Sequence, residues 1–388
     1  MIYTGIDALD GLLDGGVPDG SRMLFAIEPE ADGQHFLITL LHTAVVSGKK
    51  TLVIAPFTSK DAYFVDVASQ SHYHLDCYLD LISFIDQSDC EAITAAHQNR
   101  EACRAAWQDR IKGIIKDEGI DVVVAYLDLL SDYFEFAGAV SLFADLKSEK
   151  PVTVAFEFFN LYGEEMLQEL LKETPFDLVI NLQSGSGVVS FFNYFTVHTV
   201  SWLPLPSRSL PYIVTEGHIV PYIPKIVVTG PSNSGKTTFV KNISESGMSV
   251  DRLGLLGTPT TVALDIGHMA SKGFDINIYG TPGQERFDPI IPQLARNAMG
   301  VILMVDVTRP DLMSRALKLK KIVEGNTVVP IIVVANKADL AYSVTKEEIR
   351  AALEVRADTP VYFISAFERR QCRDVIDSMV DQITRFEY

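Results

Sequence analysis

The residues with the clearest chemistry form a glycine-rich loop between a predicted strand and a predicted helix. Residues 230–237 read Gly-Pro-Ser-Asn-Ser-Gly-Lys-Thr and fit the pattern G-x-x-x-x-G-K-[ST] at every fixed position. The preceding residues 225–229 are typical of a short buried strand, and residues 238–243 are typical of a helix. Because the glycines let backbone N–H groups turn inward at a helix N-terminus, this loop predicts binding of a triphosphate.

Two side chains of this loop have defined expected roles. Lys236 is expected to reach the β and γ phosphates, and the Thr237 hydroxyl is expected to ligate Mg²⁺. The other loop positions expected to contact the nucleotide are Gly230, Ser232, Asn233, Ser234, Gly235 and Thr238. The alternative is an ordinary Gly/Ser turn with a chance Lys-Thr pair, and the flanking strand and helix disfavour it.

Further motifs follow in the order expected of a single triphosphate site. Thr261 could place its hydroxyl on Mg²⁺ and its N–H on the γ-phosphate, contacts that exist only with a triphosphate. Its alternative role is an ordinary Thr at the entry to a strand. A predicted strand at 274–279 then leads to Gly283, whose N–H would contact the γ-phosphate, and to Gln284, which would orient the attacking water.

The last motifs predict which base is bound. Asn336 opens an N-K-x-D sequence in which the Asp339 carboxylate can accept from guanine N1 and N2, a pattern that adenine cannot supply. The stem of Lys337 would cover the base plane, and after Ser365 the Ala366 N–H could meet guanine O6. A buried carboxylate that faces the wrong base edge is left unpaired, so such a site discriminates strongly. The predicted ligands are therefore GTP and GDP with Mg²⁺.

The elements that must position these motifs alternate between strands and helices. This pattern predicts an α/β fold, with two P-loop-type three-layer domains, each a mostly parallel sheet with helices on both faces. Pro221 and Pro224 bracket a junction, which places the predicted domains at residues 1–222 and 223–388. In the first domain the apolar spacing predicts one helix over residues 91–112.

Residues 223–388 as a whole resemble a small Ras-like GTPase domain. Residues 260–265, Thr-Thr-Val-Ala-Leu-Asp, resemble Rab proteins, and residues 280–284, Gly-Thr-Pro-Gly-Gln, are similar to prokaryotic MglA-like GTPases. The resemblance implies hydrolysis of GTP to GDP and phosphate in a regulatory molecular switch. It also implies slow turnover that a protein partner stimulates by up to about 10³–10⁵-fold.

One position departs from the Ras-like pattern. Gly280 stands where the family's D-x-x-G motif begins with an Asp that positions Mg²⁺ through a water. Metal affinity or nucleotide retention is therefore in question, and Asp265 is a possible substitute. We assign no arginine finger, because Arg252 and Arg286 are better interpreted as solvent-exposed switch residues.

The opening residues 4–29, TGIDALDGLLDGGVPDGSRMLFAIEP, resemble RecA-like domains of the KaiC and RadA type. That resemblance implies ATP binding, but the residues in the phosphate-loop slot depart from it. Gln34 stands where Lys is required and His35 stands where Ser or Thr would hold Mg²⁺, while Ala125 replaces the acidic residue that closes the metal-binding strand. Three carboxylates would also repel a triphosphate: Glu28, Glu30 and Asp32.

The first domain is therefore predicted to be a degenerate, nucleotide-incompetent RecA/KaiC-like domain with a regulatory or partner-binding role. The main interpretation of the chain is a GTP-hydrolysing switch fused to this domain. A non-hydrolysing GTP-sensing scaffold is the alternative, which Gly280 favours and Gln284 opposes. An ATP-driven RecA-type motor is disfavoured by the same departures in the first domain.

Composition limits the partners. The chain is 47% hydrophobic and 21% charged, as in soluble globular proteins, and its net charge of −17 argues against a nucleic-acid partner. No apolar run is long enough for a membrane span, and neither Ile2 nor the C-terminal Tyr388 matches a lipid-anchor motif. The 4 cysteines form no C-x-x-C pair, so a cytoplasmic location is expected. An activator or effector protein is the expected partner, and a homo-oligomer is left open.

Overall fold

The structure is a computed structural model that describes residues 1–97, 99–144, 146, 150–161, 163–185, 193–205, 208–245 and 264–385. The chain divides into two compact units, Met1–Pro221 and Tyr222–Tyr388. Within the described residues, no helix is both long enough and apolar enough to cross a membrane.

The first unit is built on a mostly parallel sheet. Its strands are β1 (Arg22–Ile27), β2 (Thr51–Ile54), β3 (Ile82–Ile85), β4 (Val122–Tyr126), β5 (Thr153–Phe159), β6 (Leu178–Ser184), β7 (Asn193–Val200), β8 (Arg208–Thr215) and the first part of β9 (His218–Thr229). Strands β3-β2-β4-β5-β1-β6 are parallel in that order, and β7, β8 and β9 follow as antiparallel neighbours. All residues of β2 and β4 are buried, as expected of parallel strands that read as continuous apolar runs.

The first unit has one helix before β1, and its other helices connect the parallel strands. The helices are α1 (Asp7–Leu12), α2 (Gln34–Val46), α3 (Lys60–Ser71), α4 (Gln87–Ala95), α5 (Arg100–Glu118), α6 (Leu127–Phe134), α7 (Phe136–Ser141) and α8 (Gly163–Glu173), with a 3₁₀ helix at Leu75–Leu81. The fully buried Trp107 of α5 packs in a core cluster with residues of β1, β2 and β4.

The single helix predicted over residues 91–112 is wrong, because two helices share this segment. Asp86 caps α4 through a capping box with Asp89, and Asn99 begins α5 by accepting a hydrogen bond from the Glu101 N–H at 2.9 Å. The polar side chain of Asn99 satisfies a backbone donor that would otherwise have no partner in a new helix, so a second N-terminus forms there.

The second unit is also a mostly parallel sheet with helices. Its strands are the second part of β9, β10 (Asp265–Ser271), β11 (Phe274–Gly280), β12 (Gly300–Asp306), β13 (Ile331–Asn336) and β14 (Val361–Ile364). Its helices are α9 (Lys236–Ile243), α10 (Ile291–Ala295), α11 (Met313–Glu324), α12 (Lys346–Ala352) and α13 (Arg369–Arg385), with 3₁₀ helices at Glu285–Ile290 and Pro310–Leu312. The order is β10-β11-β9-β12-β13-β14, and only β10 is antiparallel to its neighbour. The predicted α/β class is confirmed.

This topology brings the motifs of the second unit to one edge of its sheet. Strands β9, β12 and β13 are parallel neighbours and end at Thr229, Asp306 and Asn336. The carboxyl ends of parallel strands form the crevice in which α/β proteins bind ligands. The loops that follow these strands therefore define the candidate site.

Candidate nucleotide-binding site

The glycine-rich loop lies between the end of β9 and the start of α9, and its tight path requires two of its glycines. Gly230 has φ +150°, and a Cβ atom there would lie 2.1 Å from the Met304 carbonyl oxygen. Gly235 has φ +99°, and a Cβ atom there would lie 2.0 Å from Asn336 Nδ2. Any side chain at these two positions would collide with β12 or with the base-recognition motif, so the loop sequence and the sheet depend on each other.

Lys236 is buried at the first position of α9, and only 7% of it is exposed. Its Nζ atom donates to the carbonyl oxygens of Gly230 and Pro231 at 2.9 and 2.8 Å. Burial lowers the pKa of Lys236 to about 8, although the nearby Asp265 carboxylate opposes this shift. The loop thus encloses a cation at the position where the sequence predicts phosphate binding.

Thr237, the predicted metal ligand, lies on α9 and is hydrogen-bonded to an acidic side chain of strand β10. Its Oγ1 donates to Asp265 Oδ2 at 2.5 Å. Asp265 pairs directly with Gly280 across β10 and β11. A Cβ atom at Gly280 would lie 3.3 Å from the same Asp265 Oδ2, so the carboxylate occupies the space beside the position where the family pattern has its Asp.

These oxygens fit Mg²⁺. This ion prefers oxygen ligands and is usually held by one or two carboxylates together with substrate phosphates, rather than by a full set of protein ligands. Thr237 Oγ1 and the Asp265 carboxylate supply such a partial set. The described residues hold no group of three or more His, Cys, Asp or Glu side chains arranged for a metal ion. Thr261, the other predicted metal ligand, lies outside the described residues.

The residues predicted to recognise the base line a cavity of about 640 Å³ that they share with the loop. The lining residues from the sequence motifs are Asn233, Gly235, Lys236, Thr237, Thr238, Asn336, Lys337, Asp339, Ser365 and Ala366. The buried Asn336 links two motifs, since its Nδ2 donates to the Ser234 carbonyl and its Oδ1 accepts from the Ala366 N–H, both at 2.8 Å. In this structure the Ala366 N–H, which was expected to meet guanine O6, is engaged by Asn336.

Lys337 is oriented by an acidic residue that sequence reasoning missed. Its Nζ lies 2.5 Å from Asp306 Oδ2, which holds the charged end, and Lys337 is one of the residues that line the cavity. The pKa of Asp306 is lowered by hydrogen bonds from Lys337 and Thr308, which outweigh its burial. A signal existed in the sequence, because Asp306 ends an apolar strand beside the N-K-x-D strand.

Gly283 and Gln284 lie on the other side of the loop. A Cβ atom at Gly283 would be 2.5 Å from the Ser232 N, so the chain passes directly against the loop there. Gln284 is exposed, and both residues line a second cavity of about 630 Å³ together with Ser232 and the half-buried Arg315. The second unit therefore brings together every predicted site residue that the structure describes, on the two sides of one loop.

Comparison with known proteins identifies this unit. The sequence profile of the Ras family matches residues 225–385. The Ras-related protein RABA1h of Arabidopsis thaliana is 31% identical over 171 residues, which cover 42% of this chain and 76% of that protein. The chain belongs to the Ras family. The Ras-related protein Rab11E of Lotus japonicus, another relative, is 29% identical over 171 residues, with 42% of this chain and 76% of that protein covered.

Among solved structures, a KaiC-like protein from Pyrococcus horikoshii is similar at a TM-score of 0.45 and 15% identity. The match covers 57% of this chain and 98% of that protein. Similarity at this level does not establish an activity for the first unit.

Within this Ras-family unit, two further residues of the cavities escaped sequence reasoning. Phe367, which follows the Ser365-Ala366 motif, is 80% exposed and lines the base-side cavity. Arg315 lies on α11 and gives no sequence signal, because its partner Asp288 belongs to a different element. Phe367 is adjacent to a motif in sequence, whereas Arg315 is brought beside the predicted motifs only by the fold.

Proposed function

We propose that the second unit, residues 223–388, binds GTP with Mg²⁺, hydrolyses it to GDP and phosphate, and acts as a molecular switch. The observation that supports this most strongly is the shared cavity, which is lined by both the triphosphate loop and the guanine-specific N-K-x-D motif. Membership of the Ras family supports the same function. Asp339 is the residue we assign to base discrimination, because its carboxylate would accept from guanine N1 and N2 and would have no such donors from adenine. The sequence predicts a buried carboxylate, whereas Asp339 is exposed and lines the cavity, so the bound base would have to cover it.

The proposed hydrolysis needs no covalent intermediate. The buried Lys236 would stabilise negative charge on the β and γ phosphates, and Gln284 would orient the attacking water. A bound Mg²⁺, held by Thr237 and by Asp265 directly or through water, would supply further charge stabilisation. The Asp265–Thr237 contact supports the view that the chain keeps a metal site although Gly280 replaces the usual Asp.

We propose that the first unit binds no nucleotide and serves a regulatory or partner-binding role. In its degenerate loop, Glu28 Oε1 accepts hydrogen bonds from Asn181 Nδ2 and Gln183 Nε2 at 3.1 and 3.0 Å. A Cβ atom at Gly33 would lie 2.8 Å from Ile27 side-chain atoms, so the loop backbone is packed against the sheet. A carboxylate and an apolar contact thus stand where phosphate oxygens would need donors.

The decisive experiment is single-turnover GTP hydrolysis by the purified full chain beside Lys236→Ala and Gln284→Leu. We expect Lys236→Ala to abolish GTP binding, and Gln284→Leu to retain binding while losing turnover by on the order of 10² or more. Turnover that is unchanged in Gln284→Leu would remove Gln284 from its role. The partner is not identified by these residues, so stimulation would be sought separately.

A GTP-sensing scaffold that does not hydrolyse its ligand is the second candidate, and Gly280 is the observation that favours it. Tight, Lys236-dependent GTP binding with no turnover in the full chain would support the scaffold over the enzyme. ATP binding that survives Lys236→Ala would instead point to the first unit and contradict the proposal that it binds no nucleotide.

A further inference from the structure

A largely buried arginine side chain lies beside the segment that carries Gln284. Arg315 lies in the first turn of α11, and only 9% of its side chain is exposed. It lines the second cavity together with Ser232, Gly283 and Gln284. The arginine therefore shares a cavity with the groups that the proposed function places around the γ-phosphate.

The guanidinium of Arg315 holds both ends of the segment 283–288. Its Nη1 and Nη2 atoms donate to the two carboxylate oxygens of Asp288 at 2.9 and 2.5 Å. Its Nη2 also donates to the Gly283 carbonyl oxygen at 3.4 Å. Gln284 lies between these two attachment points. Because a planar guanidinium that pairs with both oxygens of a carboxylate fixes orientation as well as distance, the segment is tethered to α11.

Two cations of α11 face the single carboxylate of this tether. Lys318, one turn further along α11, places Nζ 3.1 Å from Asp288 Oδ2. Hydrogen bonds from Arg315, and then from Lys318, hold the pKa of Asp288 below its usual range, so the carboxylate is ionised at neutral pH. Without Arg315, Asp288 would keep Lys318, whose side chain is 58% exposed, but the segment would lose the two-point pairing and the contact with the Gly283 carbonyl oxygen. The position of the segment therefore depends on the Arg315 guanidinium.

We propose that Arg315 is a positioning residue for GTP hydrolysis, which tethers Gly283 and Asp288 to α11 and so holds Gln284 where it can orient the attacking water. This inference rests on the proposed GTPase function of the same site. Arg315 acts through Gln284 and makes no assigned contact with the nucleotide. Loss of the tether should therefore slow hydrolysis while leaving GTP affinity nearly unchanged.

The test is single-turnover hydrolysis by the full chain carrying Arg315→Met or Arg315→Lys, with a fluorescent GTP analogue to measure affinity. Because a misplacement of about 1 Å can cost on the order of 10²-fold, we expect Arg315→Met to slow hydrolysis by about 10- to 100-fold. We expect Arg315→Lys, which keeps the charge, to retain part of the rate. In the Gln284→Leu background, Arg315→Met should cause no further loss.

The matched control is Lys321→Met on the same helix, because the exposed Lys321 pairs with Glu354 away from the cavity. Its rate should equal that of the unmodified chain. An Arg315→Met variant with an unchanged rate would overturn the proposal. The proposal would also be overturned if Arg315→Met reduced GTP affinity and hydrolysis rate by the same factor. The same holds if it slowed hydrolysis equally in the unmodified and Gln284→Leu backgrounds.

Hydrogen exchange tests the tether without relying on turnover. Arg315→Met should accelerate amide exchange across residues 283–290 and leave the exchange of the first unit unchanged. Unchanged exchange in that segment would overturn the tether even if the chain hydrolyses GTP. If the unmodified chain shows no Lys236-dependent turnover but exchange is accelerated, the proposed function fails, and the role of Arg315 in hydrolysis fails with it, while the tether itself stands.

Discussion

At the residue scale, the proposed metal site depends on one pair of facing positions in β10 and β11. Asp265 and Gly280 are directly paired, and the Asp265 carboxylate accepts from Thr237. In the family pattern the acidic side chain belongs to the β11 position. Because a side chain at either paired position reaches the same region of space, an acid on β10 can serve the hydroxyl that an acid on β11 would serve.

This arrangement predicts that the carboxylate can be transferred from position 265 on β10 to position 280 on β11 without losing its function. Asp265→Gly should weaken Mg²⁺-dependent nucleotide binding by at least about 10-fold, since removing a charged partner typically costs about 1.5–3 kcal/mol. Asp265→Gly combined with Gly280→Asp should recover most of the affinity. The measurement is nucleotide dissociation from the full chain with and without excess chelator.

Gly280→Asp alone is the control for this exchange. It adds a second carboxylate beside Asp265, where a Cβ atom would already lie 3.0 Å from Asp265 Cβ, so it should not improve binding. If all three variants released the nucleotide at the same rate as the unmodified chain, neither position would serve the metal.

The sequence predicts the candidate site residues but not all of their contacts. Fixed spacing identified Lys236, Thr237 and Asp339, because a phosphate loop and an N-K-x-D motif constrain neighbouring residues. It gave Asp265 only as a possible substitute, since the register between β10 and β11 decides whether it faces Thr237. Arg315 could not be found, because its contact with Asp288 is made by tertiary packing.

Burial of Lys236 predicts how nucleotide affinity depends on pH. Its pKa is lowered to about 8, and phosphate oxygens favour the protonated amine, so binding raises this pKa. Below pH 8 the amine is already charged, and affinity should be constant. Above pH 8 binding takes up a proton, so the dissociation constant should rise by up to about tenfold per pH unit until the pKa of the bound state is reached.

The measurement is the dissociation constant of GDP for the full chain at pH 7, 8 and 9. Lys236→Met should bind weakly and show a flat profile over this range, because it has no amine to titrate. A flat profile in the unmodified chain would mean that Lys236 stays charged in the absence of nucleotide.

At the element scale, apolar spacing located the helices better than it located their ends. The run from residue 91 onward carries a helical pattern, but Asn99 starts a new helix within it. A polar side chain that caps a backbone donor competes with helix continuation, and apolar periodicity does not detect that competition. The prediction therefore had the right type of element and the wrong number.

The cap at Asn99 has a measurable contribution to stability. Asn99→Ala should lower the free energy of unfolding by about 1 kcal/mol, because the Glu101 N–H loses its acceptor. Asn99→Asp keeps an acceptor at the same position and should be nearly neutral. Chemical denaturation of the full chain, followed by a probe of the first unit such as Trp107 fluorescence, measures both variants. Equal stability of Asn99→Ala and the unmodified chain would show that this cap contributes nothing.

At the scale of the whole molecule, the two α/β units carry groups of opposite charge at the loop that follows a buried strand. In the second unit the loop encloses the amine of Lys236. In the first unit Gln34 begins α2 at the equivalent place, and the carboxylate of Glu28 accepts donors from β6. An anionic ligand is favoured by the first arrangement and opposed by the second, although both follow a buried strand.

The expected consequence is one nucleotide per chain. Equilibrium dialysis of the full chain against GTP should saturate at one equivalent, and Lys236→Ala should bind neither GTP nor ATP. Adding Gln34→Lys and His35→Thr to Lys236→Ala should not restore ATP binding, because Gly33 would still be packed against Ile27. An equivalent of ATP retained by Lys236→Ala would contradict the incompetence of the first unit. If ATP binding appeared only with the added Lys and Thr, then Gln34 and His35 alone would explain why the first unit binds no ATP.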